Sequence, residues 1–356
     1  MSHPTATVTG SAARRRALAA RSPGLGAAEL IALARADPDL EMLDRPQAAA
    51  LARLGLTTRT VQWLLHPNQA RIEADLRWLE LSGTTLLAVT DAAYPPMLRQ
   101  LVDAPPILFV RGNRDLLHEP QLAMVGSRNP TAGGLSTARD FAKWFTRAGI
   151  VVTSGLALGI DAACHEGALA AGGPTVAVLG CGIDIVYPAA NRALAQRIVE
   201  NGAIVSEFPP GLEPRKELFP QRNRIIAGLS YGTLVVEAAR ESGSLITARL
   251  AGNAGREVFA IPGSIHNPCA RGCHQLIRQG AKLVERAEDV LEELKIPLSC
   301  QLLATPSLPV AEGAKPAPQL DKAYEILLDA LAFEPASVDS LIERTGLNSE
   351  DRKSVV

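Results

Sequence analysis

Between Ala12 and about Leu81, apolar residues recur every three or four positions. "AELIALARA", "PQAAALARLGL" and "ARIEADLRWLEL" all follow that spacing, which predicts short amphipathic helices punctuated at Ser22-Pro23-Gly24 and Gly55. A different regime begins near Thr84. "TLLAVT" and "PILFV" predict strands on either side of a helical "PPMLRQLV". Further strands are expected at 122–126, 150–153, 175–179, 203–206, 233–237, 257–261 and 282–284, with helical segments in every gap. These runs are apolar throughout, so each strand should be covered on both faces. That implies an α/β fold with a doubly wound, mostly parallel Rossmann-like sheet.

The same pattern divides the chain. Residues 1–82 form a small helical domain, and residues 83–298 the sheet domain. Residues 299–319, rich in Pro and Ala without periodicity, read as a linker. In 320–356, "DKAYEILLDALAF" and "SVDSLIERTGL" resemble two helices of a winged-helix unit whose third helix and wing do not follow. The tail "DRKSVV" continues no amphipathic pattern, and one DNA spelling of it matches the start of a common sequencing adapter. Residues 351–356 are therefore expected to be a read-through artefact, with the winged helix truncated.

Composition narrows the function. The net charge is −1, so no global field draws in a polyanion, and any basic site must be local. No run of about 18 apolar residues occurs, and Arg14–Arg16 does not lead into a signal-type apolar core, so a cytoplasmic protein off the membrane is expected. Five cysteines in a chain of 356 residues suit a reducing compartment better than a disulfide frame. Aromatics make up 4% of residues, which makes Phe219 in a charged segment conspicuous.

In such a sheet the ligand crevice is lined by the loops after the strands. Here those loops are "GSRNPTAGG" (126–134), "SGLALGID" (154–161), "GCGIDIVYPAAN" (180–191), "EFPPGLEPRKELFPQRN" (207–223) and "AARESGSLITA" (238–248). Small residues let backbone N–H groups approach phosphate oxygens, and helix starts add partial positive charge. A dinucleotide oxidoreductase fits poorly: the glycine spacing of G-x-G-x-x-G is missing, and the second strand ends in Thr153-Ser154-Gly155 with no carboxylate. No G-x-x-x-x-G-K-[ST] of a P-loop NTPase occurs either. A nucleotide-processing hydrolase of the phosphoribohydrolase type stays open as the alternative, with Glu237 as its acid; more simply, Glu237 pairs with Arg224 or Arg240.

Single-stranded nucleic-acid binding needs a positive groove and a ring on which a base can stack. "PRKELFPQRNR" supplies Arg215, Lys216, Arg222 and Arg224 with Phe219, and Arg128 adds a guanidinium from the first loop. A helix is expected to start at Arg224, with Asn223 either as its cap or as a DNA contact. Asp161 reads as a carboxylate in the first turn of a helix. "HNPCARGCH" (266–274) crowds His266, Cys269, Cys273 and His274 into one loop, unlike two zinc knuckles. Cys181 has no base beside it, so small-residue packing explains it better than nucleophilic catalysis. "GLG" at 24–26 is either an inter-helix turn or a phosphate-holding helix start. No catalytic residue, cofactor or metal is expected.

The motifs "VGSRNPTAGG", "SGLALGID", "GCGIDIVYPAAN", "SEFPPG", "FPQRNRIIAGLS", "VVEAARESGSLITA", "EVFAIPG" and "LIRQGAKLV" resemble, in order, the DprA/Smf DNA-processing family of natural transformation. The similarity runs from about Thr84 to Leu294. It implies an extended Rossmann fold between a sterile-alpha-motif-like N-terminal domain and a C-terminal winged helix. It also implies a homodimer that binds and protects incoming single-stranded DNA and loads a RecA-type recombinase. By position in those motifs, DNA contacts would fall on Arg128, Lys216, Phe219, Arg222, Asn223 and Arg224. Phosphates would lie on Ser154, Gly155, Ser242, Gly243, Ser244 and Thr247. Glu217, Cys164 and Cys269 depart from the family pattern, as does the incomplete winged helix.

Overall fold

The computed structural model describes residues 10–294 and, beyond them, Ile342 and Thr345, both helical. The expectations for residues 1–9, the 299–319 linker, the two C-terminal helices and the tail lie outside the described residues, apart from those two positions.

Among the described residues, five α-helices come first: α1 (Gly10–Arg21), α2 (Ala27–Ala36), α3 (Ala48–Arg53), α4 (Thr58–Leu65) and α5 (Gln69–Ser82). The Thr57 hydroxyl caps α4 and Asn68 caps α5, each accepting from a backbone N–H three residues on. Gly26 precedes α2, and its N–H donates to Glu29 Oε2 at 3.0 Å, so that helix start carries its own anion. The arginines of α1 are tied inward: Arg14 and Arg15 to Asp44, Arg16 to Asp91 and Arg21 to Asp75.

The sheet domain follows as β1 (Thr85–Ala88), α6 (Pro96–Arg99), β2 (Ile107–Gly112), β3 (Gln121–Val125), α7 (Ala132–Arg147), β4 (Val151–Ser154), α8 (Ile160–Ala170), β5 (Thr175–Val178), α9 (Arg192–Asn201) and β6 (Ala203–Ser206). It continues as α10 (Leu218–Leu229), β7 (Gly232–Val235), α11 (Ser244–Asn253), β8 (Glu257–Ala260), α12 (Arg271–Arg278), β9 (Lys282–Leu283) and α13 (Ala287–Glu293). The strands form one sheet in the order β1-β2-β6-β5-β4-β3-β7-β8-β9. Every pairing from β6 to β9 is parallel, whereas β1 and β2 extend the sheet antiparallel.

β3, β4, β7 and β8 each feed two cores. On β3, Leu122 and Met124 pack with Phe145 of α7 and Ile160 of α8, while Ala123 and Val125 pack in the cluster holding Ile225 of α10 and Leu245 of α11. That is why the strands read as continuous apolar runs rather than alternating ones. From β3 the chain moves outward through β4, β5 and β6, then crosses back to lay β7 on the other flank of β3. The order reverses between β3 and β7, so the ligand crevice belongs at the carboxyl ends of these two strands.

Candidate nucleic-acid interface

α10 begins at Leu218, not at Arg224, so the segment expected to be a turn is already helical. Pro220 is compatible with this because the first-turn N–H groups have no partner within the helix. Phe219, Arg222 and Asn223 are then one turn apart on one face. Phe219 is half-buried near the mouth, and Arg222 lies one turn deeper and only 4% exposed.

Arg222, expected as an open phosphate contact, lies buried as a brace. Its Nη1 donates to the carbonyl of Gly155 at 2.6 Å and to that of Val178, joining the ends of β4 and β5. Burial pushes the guanidinium down to about 10, against the pull of nearby Asp161, and the positive charge of Arg128 adds to the depression. Burial raises Asp161 as well, while Arg222 and the N–H groups of Ala157 and Gly155 oppose it. Each ion thus offsets part of the other's desolvation.

The neighbouring sequence candidates are placed inside with Arg222. The Ser154 hydroxyl, fully buried, donates to Met124 O at 2.6 Å, and the Gly155 N–H donates to Asp161 Oδ2 at 3.2 Å, so neither group faces the crevice. Asn223 lies within α10 rather than capping it; its Oδ1 accepts from Arg222 and its amide donates to Gly243 O at 3.4 Å. Arg224 is paired with Asp103 at 3.2 Å and with Glu207, leaving Nη1 buried without a partner. Thr247 is buried on the first turns of α11.

The remaining candidates face outward, apart from buried Ser244. Arg128, Arg215, Lys216 and Gly243 are exposed, and Ser242 is half-buried. The hydroxyls of Ser242 and buried Ser244 lie 2.7 Å apart at the start of α11. The guanidinium of Arg128 lies over the Phe219 ring, 5.4 Å from its centroid, and the edge of Phe219 packs where a Cβ on Gly180 would intrude. Tyr187, 47% exposed, stands beside the same ring with centroids 5.8 Å apart. Sequence reasoning missed Tyr187. Its signal was a scarce ring in the third strand-end loop, the loop that also carries Gly180.

Glu237 pairs with neither Arg224 nor Arg240. Its carboxylate accepts from the Thr131 N–H at 2.9 Å and hydroxyl at 2.6 Å, fixing the loop that leads into α7. Cys181 is buried and its thiol is pushed up to about 11 by burial, a poor nucleophile. Cys273 points into the core towards the Val235 and Val236 carbonyls, and His274 faces Gly263 O. Among the described residues no helix is long and apolar enough to cross a membrane.

The sequence model of DNA recombination-mediator protein A matches residues 85–295, more than half of the chain. The chain belongs to that family. The DprA winged helix domain matches residues 311–352, beginning inside the stretch read as linker. Protein Smf of Escherichia coli K12 is 43% identical over 302 residues, spanning 84% of this chain and 79% of that protein. DNA processing protein DprA of Streptococcus pneumoniae R6 is 47% identical over 208 residues, 58% of this chain and 73% of that protein. The X-ray structure of DprA from Streptococcus pneumoniae superposes with a TM-score of 0.71 at 36% identity, covering 80% of this chain and 99% of that one. A structure of DNA processing protein A from Helicobacter pylori, described for its single-stranded DNA binding mode, gives 0.54 at 29% identity over 59% of this chain and 94% of that one.

Proposed function

We propose that this member of the DprA/Smf family binds single-stranded DNA without sequence preference and without chemistry, as a step of DNA processing in natural transformation. One observation carries this: Arg128, Phe219 and Tyr187, from the segments that follow β3, β6 and β5, are gathered around one ring, with exposed Arg215 and Lys216 just before Phe219 in the chain. Stacked rings serve bases of any identity, and the cations follow the backbone. Arg128, Lys216 and Phe219 would contact the strand directly, and Ser242, Gly243 and Ser244 would present the α11 N-terminus to a phosphate. Arg222, Asn223, Arg224, Ser154, Gly155 and Thr247 would hold these groups in place from behind. Family resemblance adds cytoplasmic location, a homodimer, protection of incoming strands and the loading of a RecA-type recombinase.

The hydrolase alternative would need Glu237 free, and its oxygens are bound to Thr131 and Asn267. Incubation with nucleoside monophosphates should release no base, while anisotropy with labelled oligo-dT should report binding. Base release without oligonucleotide binding would reverse the assignment. Tyr187→Ala should weaken oligo-dT binding by ~1–3 kcal/mol, the range for one stacked base, and Tyr187→Phe should retain most of it. An unchanged Kd for Tyr187→Ala would confine stacking to Phe219.

A further inference from the structure

The turn at Pro209–Leu212 leads directly into Arg215, Lys216 and Phe219, and it is pinned from two sides. From the helical domain, Arg21 Nη2 on α1 donates to the Pro210 carbonyl at 2.7 Å, and Arg71 Nη2 on α5 donates to the same oxygen at 2.5 Å. Asp75, nearly buried, holds both arginines: Arg21 through two of its nitrogens and Arg71 at 3.7 Å. From the sheet side, Asp184 Oδ1 accepts from the Gly211 N–H at 2.8 Å, and the Gly182 N–H donates to Leu212 O at 2.7 Å. Gly211 has φ +76, and a Cβ there would run into the Arg71 guanidinium. A left-handed glycine is what leaves Arg71 room to reach that carbonyl.

We propose that the N-terminal helical domain is a positioning element for the DNA-gripping segment, acting through an Arg21–Asp75–Arg71 clamp on Pro210 that Asp184 completes from the sheet side. The inference rests on the single-stranded DNA reading above. A free loop would leave Arg215 and Lys216 on a flexible tether and would have to be ordered at each binding event. Clamping it beforehand removes that entropy loss. It also joins a domain that carries none of the proposed strand contacts to the affinity of one that does.

The test is anisotropy with oligo-dT over a salt series. Arg71 is 45% exposed by side chain and Asp184 is exposed, so single changes there leave the core alone. Arg71→Ala and Asp184→Ala should each raise Kd by about fivefold to tenfold, the equivalent of one ordinary hydrogen bond lost from the clamp. The salt slope should stay unchanged, because no phosphate contact is removed. For Asp184→Ala the direction is itself diagnostic: electrostatics alone would make loss of an acid strengthen binding. Asp184→Asn keeps an acceptor for the Gly211 N–H and should bind at least as well as the parent. Unchanged Kd in both alanine variants overturns the clamp, provided that Lys216→Ala still weakens binding. A slope reduced by ~0.7 in Arg71→Ala would make Arg71 a phosphate contact, and would overturn it too. If Lys216→Ala is also silent, the DNA reading fails and the clamp falls with it.

Discussion

Phe219→Ala combined with Lys216→Ala will lower oligo-dT affinity far more than either change alters folding. Removing the ring should remove ~1–3 kcal/mol of base stacking. Removing Lys216 should lower the salt slope by ~0.7, the value for one phosphate on a single strand. Both effects are expected because Lys216 is exposed and Phe219 is half-buried, not sealed in the core. Phe219 also carries Arg128 over its face, so its loss frees that guanidinium to wander. The double variant should lose about the sum of the singles, and any departure from it measures coupling between the two sites. Anisotropy at moderate salt reads the affinity, and urea unfolding checks that the fold is intact. Intact affinity with intact folding would show that the strand lies elsewhere.

Arg222→Ala will behave differently: its main effect will be on stability. The guanidinium braces the carbonyls of Gly155 and Val178, and its charge offsets the burial of Asp161. Removing it leaves the buried Gly155 and Val178 carbonyls without this donor, which costs ~1–3 kcal/mol for each unsatisfied group. Arg222→Lys should recover only part, since its shorter chain has a single nitrogen to serve both carbonyls and loses the Nε bond to Asn223. Urea unfolding reads the change directly. Any loss of DNA affinity in Arg222→Ala should follow the fraction unfolded, in contrast to Lys216→Ala. A change under ~1 kcal/mol, the range of exposed ion pairs, would instead place the guanidinium in solvent, where it could meet phosphate.

The sheet was legible because its strands are short, apolar and bounded by small residues. The strand expected at 203–206 occupies Ala203–Ser206, and its neighbours differ from expectation by a residue or two at their ends. The start of α10 was hidden by Pro220 and a crowd of charges, which locally look like a turn. Once the helix begins at Leu218, its periodicity carries Arg222 and Asn223 inward. No local pattern could show this, because the partners are carbonyls at the ends of β4 and β5 and an acid on α8. A charged residue in a sequence ordinarily signals exposure. The inward turn of Ser154 was hidden for the same reason, as its partner, Met124 O, comes from the adjacent strand. Tyr187 becomes conspicuous only when the fold brings its loop beside α10, and the Pro210 clamp joins residues 139 and 189 positions apart.

The most direct measurement is a titration of oligo-dT and duplex DNA of equal length across a salt series. A groove of exposed cations and rings requires tight single-strand binding that weakens linearly on a log–log plot, with duplex binding much weaker because its bases are already stacked. Equal affinity for both forms, or single-strand binding indifferent to salt, would contradict it.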